Sequence, residues 1–165
     1  IEVTKMSLAL KIVDGNAPLA WEGIGVFGDK ILREIADNIK LGNTLVDVDA
    51  EIPVQLIPAI KPMDIKASFK VVFESFGGFT YVIGNPPYVE TKHYKAASPC
   101  MHSYLTDSYA TFEGKADLAV LFIERCIKLL SNSGKLGFII QRRWFKTDYG
   151  KSTRSLINKG KHLQK

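Results

Sequence analysis

Two spacings of apolar residues alternate along this chain, and the alternation predicts an α/β protein. Val3, Met6, Leu10 and Val13 recur with helical spacing, and Gly15 supplies a stop. Residues 14–28 read as irregular. Ile31, Leu32 and Ile35 place a short helix over 29–37, and 38–46 reads as a strand. Pro53, Pro58 and Pro62 make about 51–65 a loop or insertion. Phe69, Val72, Phe73 and Phe76 space as a core-facing helix ended by Gly77-Gly78. Tyr81-Val82-Ile83-Gly84 reads as the end of a buried strand over 79–84, and about 89–113 as a long polar loop. Asp117 suits the cap of a helix running to about Leu130, with Leu118, Phe122, Cys126 and Leu129 inward and Glu124–Lys128 as an i,i+4 pair. Ser133-Gly134 reads as a turn, Lys135–Ile140 as a buried strand and 148–158 as a final helix.

The candidate chemistry sits where the strand at 79–84 ends, in Asn85, Pro86, Pro87 and Tyr88. An exocyclic amine on an aromatic ring is a poor nucleophile because its lone pair is delocalised. Two acceptors that take both N–H protons favour a pyramidal nitrogen with its lone pair freed. The Asn85 side-chain oxygen supplies one acceptor and the carbonyl of Pro86 the other. Consecutive prolines fix φ and contribute no N–H, so the carbonyls stand rigidly with no competing donor. Tyr88 adds a ring on which a base taken out of its duplex can stack. The plainer alternative is a Pro-Pro loop with Tyr88 as a core aromatic.

With these residues and their flanks, the chain resembles the adenine-specific (N6) DNA methyltransferases of restriction–modification systems, in particular those often fused to a nuclease. The resemblance runs through IEVTKMSLALK at 1–11, NIKLGNTLV at 38–46, GGFTYVIGNPPYV at 77–89, residues 109–140 and FKTDYGKSTRSLI at 145–157. Where the family usually carries Asp, Tyr and Pro, this chain has Thr80, Ala119 and Gln141. The resemblance implies a partial Rossmann-like, S-adenosylmethionine-dependent fold lacking its first two strands and its last. On that reading 1–165 is the central part of a catalytic domain. The Gly-rich cofactor motif and its acidic partner then precede Ile1, and the target recognition part follows Lys165. The resemblance also implies methyl transfer from S-adenosyl-L-methionine to the N6 amine of a flipped adenine in double-stranded DNA, with 1–165 inactive by itself. Asn43, at the end of the strand at 38–46, matches the position that meets the cofactor's adenine, although Gly42-Asn43 also reads as a turn. Lys92 and Lys95, in the segment that borders DNA in the resembling enzymes, are candidate backbone contacts. Methylation of RNA or of a protein glutamine reuses the same tetrapeptide, and a non-catalytic DNA-binding remnant is a third reading.

Charge sharpens the picture at one end. The net +5 conceals nine lysines and arginines against one acid, Asp148, over 135–165, a net +8. Such a segment suits a phosphate-facing surface, a solvated helix face or an acidic neighbouring domain. Arg142 and Arg143 fall at the C-terminal end of a strand, the functional side of an open α/β sheet, and join the candidate DNA contacts. Cys100 and Cys126 lack metal or redox spacing, and His93, His102 and His162 form no ligand cluster, so no metal is expected. No apolar run is long enough to span a bilayer, and a cytoplasmic protein is expected.

Overall fold

The computed structural model describes residues 3–4, 6–8, 11, 37–90, 95, 98–113 and 116–159. The chain divides into two compact units, Ile1–Gly42 and Asn43–Lys165. In the first, residues 3–4, 6–8 and 11 are helical, as the spacing predicts, but Val3 and Met6 are exposed. Most of the helix expected over 29–37 lies outside the described residues.

The second unit contains the elements that build the site. Helix α1 (Lys70–Phe76) leads into strand β1 (Phe79–Gly84), and α2 (Pro99–Ser108) and α3 (Leu118–Leu129) lead into strand β2 (Leu130–Phe138). Two 3-10 turns, Arg142–Phe145 and Asp148–Gly150, precede α4 (Lys151–Lys159). β1 and β2 pair in parallel as a two-stranded sheet. This mixed helix–strand unit is compatible with part of a methyltransferase fold. No helix among the described residues is long and apolar enough to cross a membrane.

α3 is the centre of the core. The Asp117 carboxylate caps it by accepting the Ala119 N–H at 2.8 Å, as the sequence predicts. Its first two turns are buried nearly all round, with Leu118, Val120, Leu121 and Ile123 packing against Val46, Leu105 and Trp144. Cys126 lies only partly covered in this region, and burial pushes its thiol up to about 11, which keeps it protonated. A smaller cluster gathers Met63, Ile65 and Leu129 around Phe69, Phe73 and Phe79. The rings of Phe69 and Phe73 each meet Phe79 edge-on at 5.4 Å. Phe76, expected in the core, is 65% exposed.

Four expectations are corrected here. Residues 38–46 do not form a strand. Asn43 makes only an isolated bridge to Pro62, while Leu45 and Val46 are buried in a turn. The polar loop expected over 89–113 contains α2, which Pro99 opens at its first turn and which buries Met101 and Leu105. β2 starts at Leu130 rather than Lys135. Phe79 pairs with Leu130 but Tyr81 with Lys135, so Ser131–Gly134 bulges out of the ladder where a turn was expected. Neither strand is buried throughout. Tyr81 is 65% and Ile83 87% exposed, because these alternate residues share a face of the sheet that the described residues leave open.

Glu124 is the unusual member of the core, being 3% exposed. Its carboxylate accepts the Thr111 N–H at 2.9 Å and the Lys128 ammonium at 2.7 Å. Burial pushes its acidity toward a higher pKa, but these hydrogen bonds outweigh it, and the net shift is below the ordinary 4.5. A carboxylate with a lowered folded pKa contributes stability above the unfolded value, and that contribution is lost as pH falls through the folded one. Glu124→Gln is therefore expected to lower Tm at about pH 7 and to shrink the difference in Tm between about pH 7 and about pH 3. Thermal melts at both values check this. An unchanged pH dependence contradicts it.

Candidate active site

The loop Asn85–Val89 is held at both ends. At its entry the Ile139 N–H donates to the Gly84 carbonyl at 3.0 Å, extending the β1–β2 ladder past the strand. At its exit the Leu118 N–H donates to the Val89 carbonyl at 3.0 Å, and Glu90 bridges to Asp117. Pro86 is buried between these anchors, while Asn85, Pro87 and Tyr88 are exposed. The rigid prolyl pair thus turns the Asn85 carboxamide outward from the C-terminal end of β1.

The Tyr88 hydroxyl lies 2.7 Å from Asn85 Oδ1 and 2.7 Å from the Ile139 carbonyl oxygen. Its single proton can be donated to either acceptor, and its ring is neither buried nor part of the core, being 43% exposed. Asn85 Oδ1 has two lone pairs, so it can accept from Tyr88 and still accept from a second donor.

Beside the loop is a mostly apolar cavity of about 440 Å³. Asn85, Pro86 and Pro87 line it together with Val82, Phe122 and Thr44. Its volume suits a small-molecule ligand, and it runs along β1 from Phe79 to Gly84 and reaches Asn85 at the C-terminal end, where open α/β folds bind ligands. Thr44 carries no local motif. Its place in the cavity wall comes from the turn that replaces the expected strand.

Asn43 shapes that turn. Its Oδ1 accepts the Leu45 N–H at 3.1 Å, its carbonyl accepts the Val46 N–H at 3.1 Å, and its own N–H donates to the Lys61 carbonyl at 2.7 Å. Its carboxamide nitrogen is the group it has to offer a ligand.

Arg142 and Arg143 are exposed just beyond β2, at the same end of the sheet as Asn85 because the strands are parallel. Arg143 Nη1 is 3.5 Å from Glu90 Oε1, a loose contact that ties it to the end of the Asn85 loop. Lys95 is exposed, and Lys92 lies outside the described residues.

A parallel β-α-β unit with Asn-Pro-Pro-Tyr at a strand's end is compatible with part of a methyltransferase fold. The Eco57I restriction-modification methylase family model matches residues 1–165. The chain belongs to that family. It is 32% identical over 158 residues to the Escherichia coli "Type II restriction enzyme and methyltransferase RM.Eco57I", covering 96% of this chain and 14% of the relative. It is 42% identical over 88 residues to the Pseudomonas aeruginosa "Type II methyltransferase M.PaeR7I", covering 53% of this chain and 15% of the relative. The match to the Xanthomonas vasicola "Type II methyltransferase M.XhoI" is 36% over 80 residues, 48% of this chain and 14% of the relative. The chain thus spans about one-seventh of the length of these relatives. No solved structure matches it.

Proposed function

We propose that the protein carries out methyl transfer from S-adenosyl-L-methionine to the N6 amine of adenine in double-stranded DNA, as the modification activity of a restriction–modification system. The observation that carries this reading is the outward Asn85 carboxamide, rigidly mounted on a Pro-Pro loop and bordering a cavity. The Asn85 oxygen and the Pro86 carbonyl accept the two amine protons, and Pro87 keeps the loop stiff. As the amine is alkylated its N–H groups become more acidic, so both hydrogen bonds strengthen in the transition state. The exposed Tyr88 ring stacks on the extruded adenine and offsets part of the cost of unpairing it.

The cavity's volume can admit part of a cofactor, and its apolar lining would meet the uncharged portions of S-adenosyl-L-methionine rather than its charged amino-acid end. When bound, S-adenosyl-L-methionine supplies an electrophilic methyl group on a sulfonium. Asn43 would hold its adenine through the carboxamide nitrogen, with Thr44 at the cavity wall.

The test uses the full-length protein, labelled S-adenosyl-L-methionine and duplex DNA, with mass spectrometry of the digested product. N6-methyladenine is the expected product. Label in cytosine, in RNA alone or in protein overturns the assignment.

Arg142 and Arg143, with Lys92 and Lys95, supply non-specific phosphate affinity on this reading. Replacing Arg142 and Arg143 together by alanine is expected to flatten the salt dependence of DNA binding by about one to two units of slope. Titration at several salt concentrations measures it, and an unchanged slope assigns the pair to a solvated face.

A further inference from the structure

The turn that carries Asn43 and Thr44 is held by side chains that do not line the cavity. The Tyr109 hydroxyl, buried with its ring, donates to the Leu45 carbonyl at 2.8 Å. The Asp47 N–H donates to the Tyr104 hydroxyl oxygen at 3.1 Å. Arg125, on α3, grips the Asp47 carboxylate with both Nη groups, Nη1 reaching Oδ2 at 2.9 Å and Nη2 reaching Oδ1. Three side chains from α2, α3 and the segment between them therefore converge on two residues of the turn, Leu45 and Asp47. Val46, between them, is fully buried.

The Arg125–Asp47 pair is a poor device for stability alone. Desolvating a guanidinium is costly, and the Arg125 Nε is buried without a partner among the described residues. What the pair does achieve is geometric. A two-pronged guanidinium–carboxylate contact fixes orientation as well as distance. The residue it orients lies three positions from Thr44, which shares the cavity with Asn85.

We infer that Arg125, with Tyr104 and Tyr109, is a positioning set. It holds the Asn43–Asp47 turn, which brings Thr44 to the cavity wall, and thereby sets the affinity for the ligand bound there. That the ligand is S-adenosyl-L-methionine rests on the function proposed above. The positioning itself does not.

The experiment uses the full-length protein and two readouts. In Arg125→Met, hydrogen exchange at the Leu45, Val46 and Asp47 amides is expected to speed up by about tenfold or more, while the amides of β2 stay within about twofold of wild type. The KM for S-adenosyl-L-methionine is expected to rise by about fivefold to twentyfold with little change in kcat. Arg125→Lys, which keeps the charge but not the fork, should fall between. Asn43→Ala should raise KM similarly, and the double variant Asn43→Ala/Arg125→Met should be no worse than the poorer single one, because both act on one contact. Tyr109→Phe removes only a hydroxyl and gives the same local loosening on a smaller scale, so the test survives if Arg125→Met fails to fold. Unchanged exchange at the three amides, or KM losses that multiply in the double variant, overturns the inference. If wild-type protein does not bind S-adenosyl-L-methionine, the proposed function fails and the exchange rates alone decide the positioning role.

Discussion

Replacing Asn85 with alanine in the full-length protein is expected to lower the rate of methyl transfer by about a hundredfold to a thousandfold, the usual loss for one transition-state acceptor. Dissociation constants for DNA and for S-adenosyl-L-methionine should change by less than about threefold, since this contact strengthens only as charge develops on nitrogen. The structure makes the variant clean. Asn85 is exposed and, among the described residues, its side chain hydrogen-bonds Tyr88, whose hydroxyl also has the Ile139 carbonyl as a partner. Truncation therefore leaves neither a cavity nor an orphaned donor. Single-turnover kinetics with saturating substrates give the rate, and filter binding gives the affinities. A wild-type rate removes Asn85 from the reaction. A large loss of DNA affinity instead makes it a binding residue.

Gly78→Ala is expected to destabilise the fold by about 3 kcal/mol or more, among the largest effects for a single methyl group. Gly78 sits at φ 145, a conformation that side chains rarely adopt, and a Cβ there would lie 2.7 Å from Leu129 O, Leu130 C and Ser131 N. All three are backbone atoms at the junction of α3 and β2, so nothing nearby can give way cheaply. The adjacent Gly77 is the control. It caps α1 in the left-handed region at φ 68, with open space where a Cβ would go. Gly77→Asn should cost less than about 1 kcal/mol, since asparagine tolerates that region. Denaturant melts of both variants decide it, and equal losses would mean that the crowding at Gly78 relaxes.

The contrast between what the sequence revealed and what it hid follows the range of the interactions involved. The Asn85 loop is legible because its chemistry is contained in four adjacent residues. α3 is legible because a capping aspartate and a sustained helical period coincide. Residues 38–46 mislead because Leu41, Leu45 and Val46 give a strand-like run, whereas a strand also needs a neighbour. Here Gly42-Asn43 turn chemistry wins, and the Asn43 side chain closes the turn on Leu45. α2 was hidden by its own composition: cysteine, serine, tyrosine and threonine blur the period, although Ser98-Pro99 and the spacing of Met101 and Leu105 mark it in retrospect. The grip of Arg125 on Asp47 joins residues 78 positions apart and has no local trace at all. Thr44 reached the cavity by the same long-range route.

The parallel pairing of β1 with β2 has a kinetic consequence. Phe79 and Leu130 meet across about fifty residues of intervening chain, and so do all the pairs after them. Loop-closure entropy must be met before any of those hydrogen bonds forms, so the pairing is intrinsically slow compared with local helix formation. α3, with its built-in cap, can form early and place Leu130 beside Phe79, reducing the search to a short slide along β1. The bulge at Ser131–Gly134 then matters as a register stop: its extra residues fall between the Phe79–Leu130 and Tyr81–Lys135 pairs, and a side chain at Gly134 would lie 2.6 Å from the Phe79 carbonyl oxygen, so only glycine passes there. A misaligned strand would strand the Asn85 loop away from Ile139, so the order of folding events and the geometry of the site are settled in the same step.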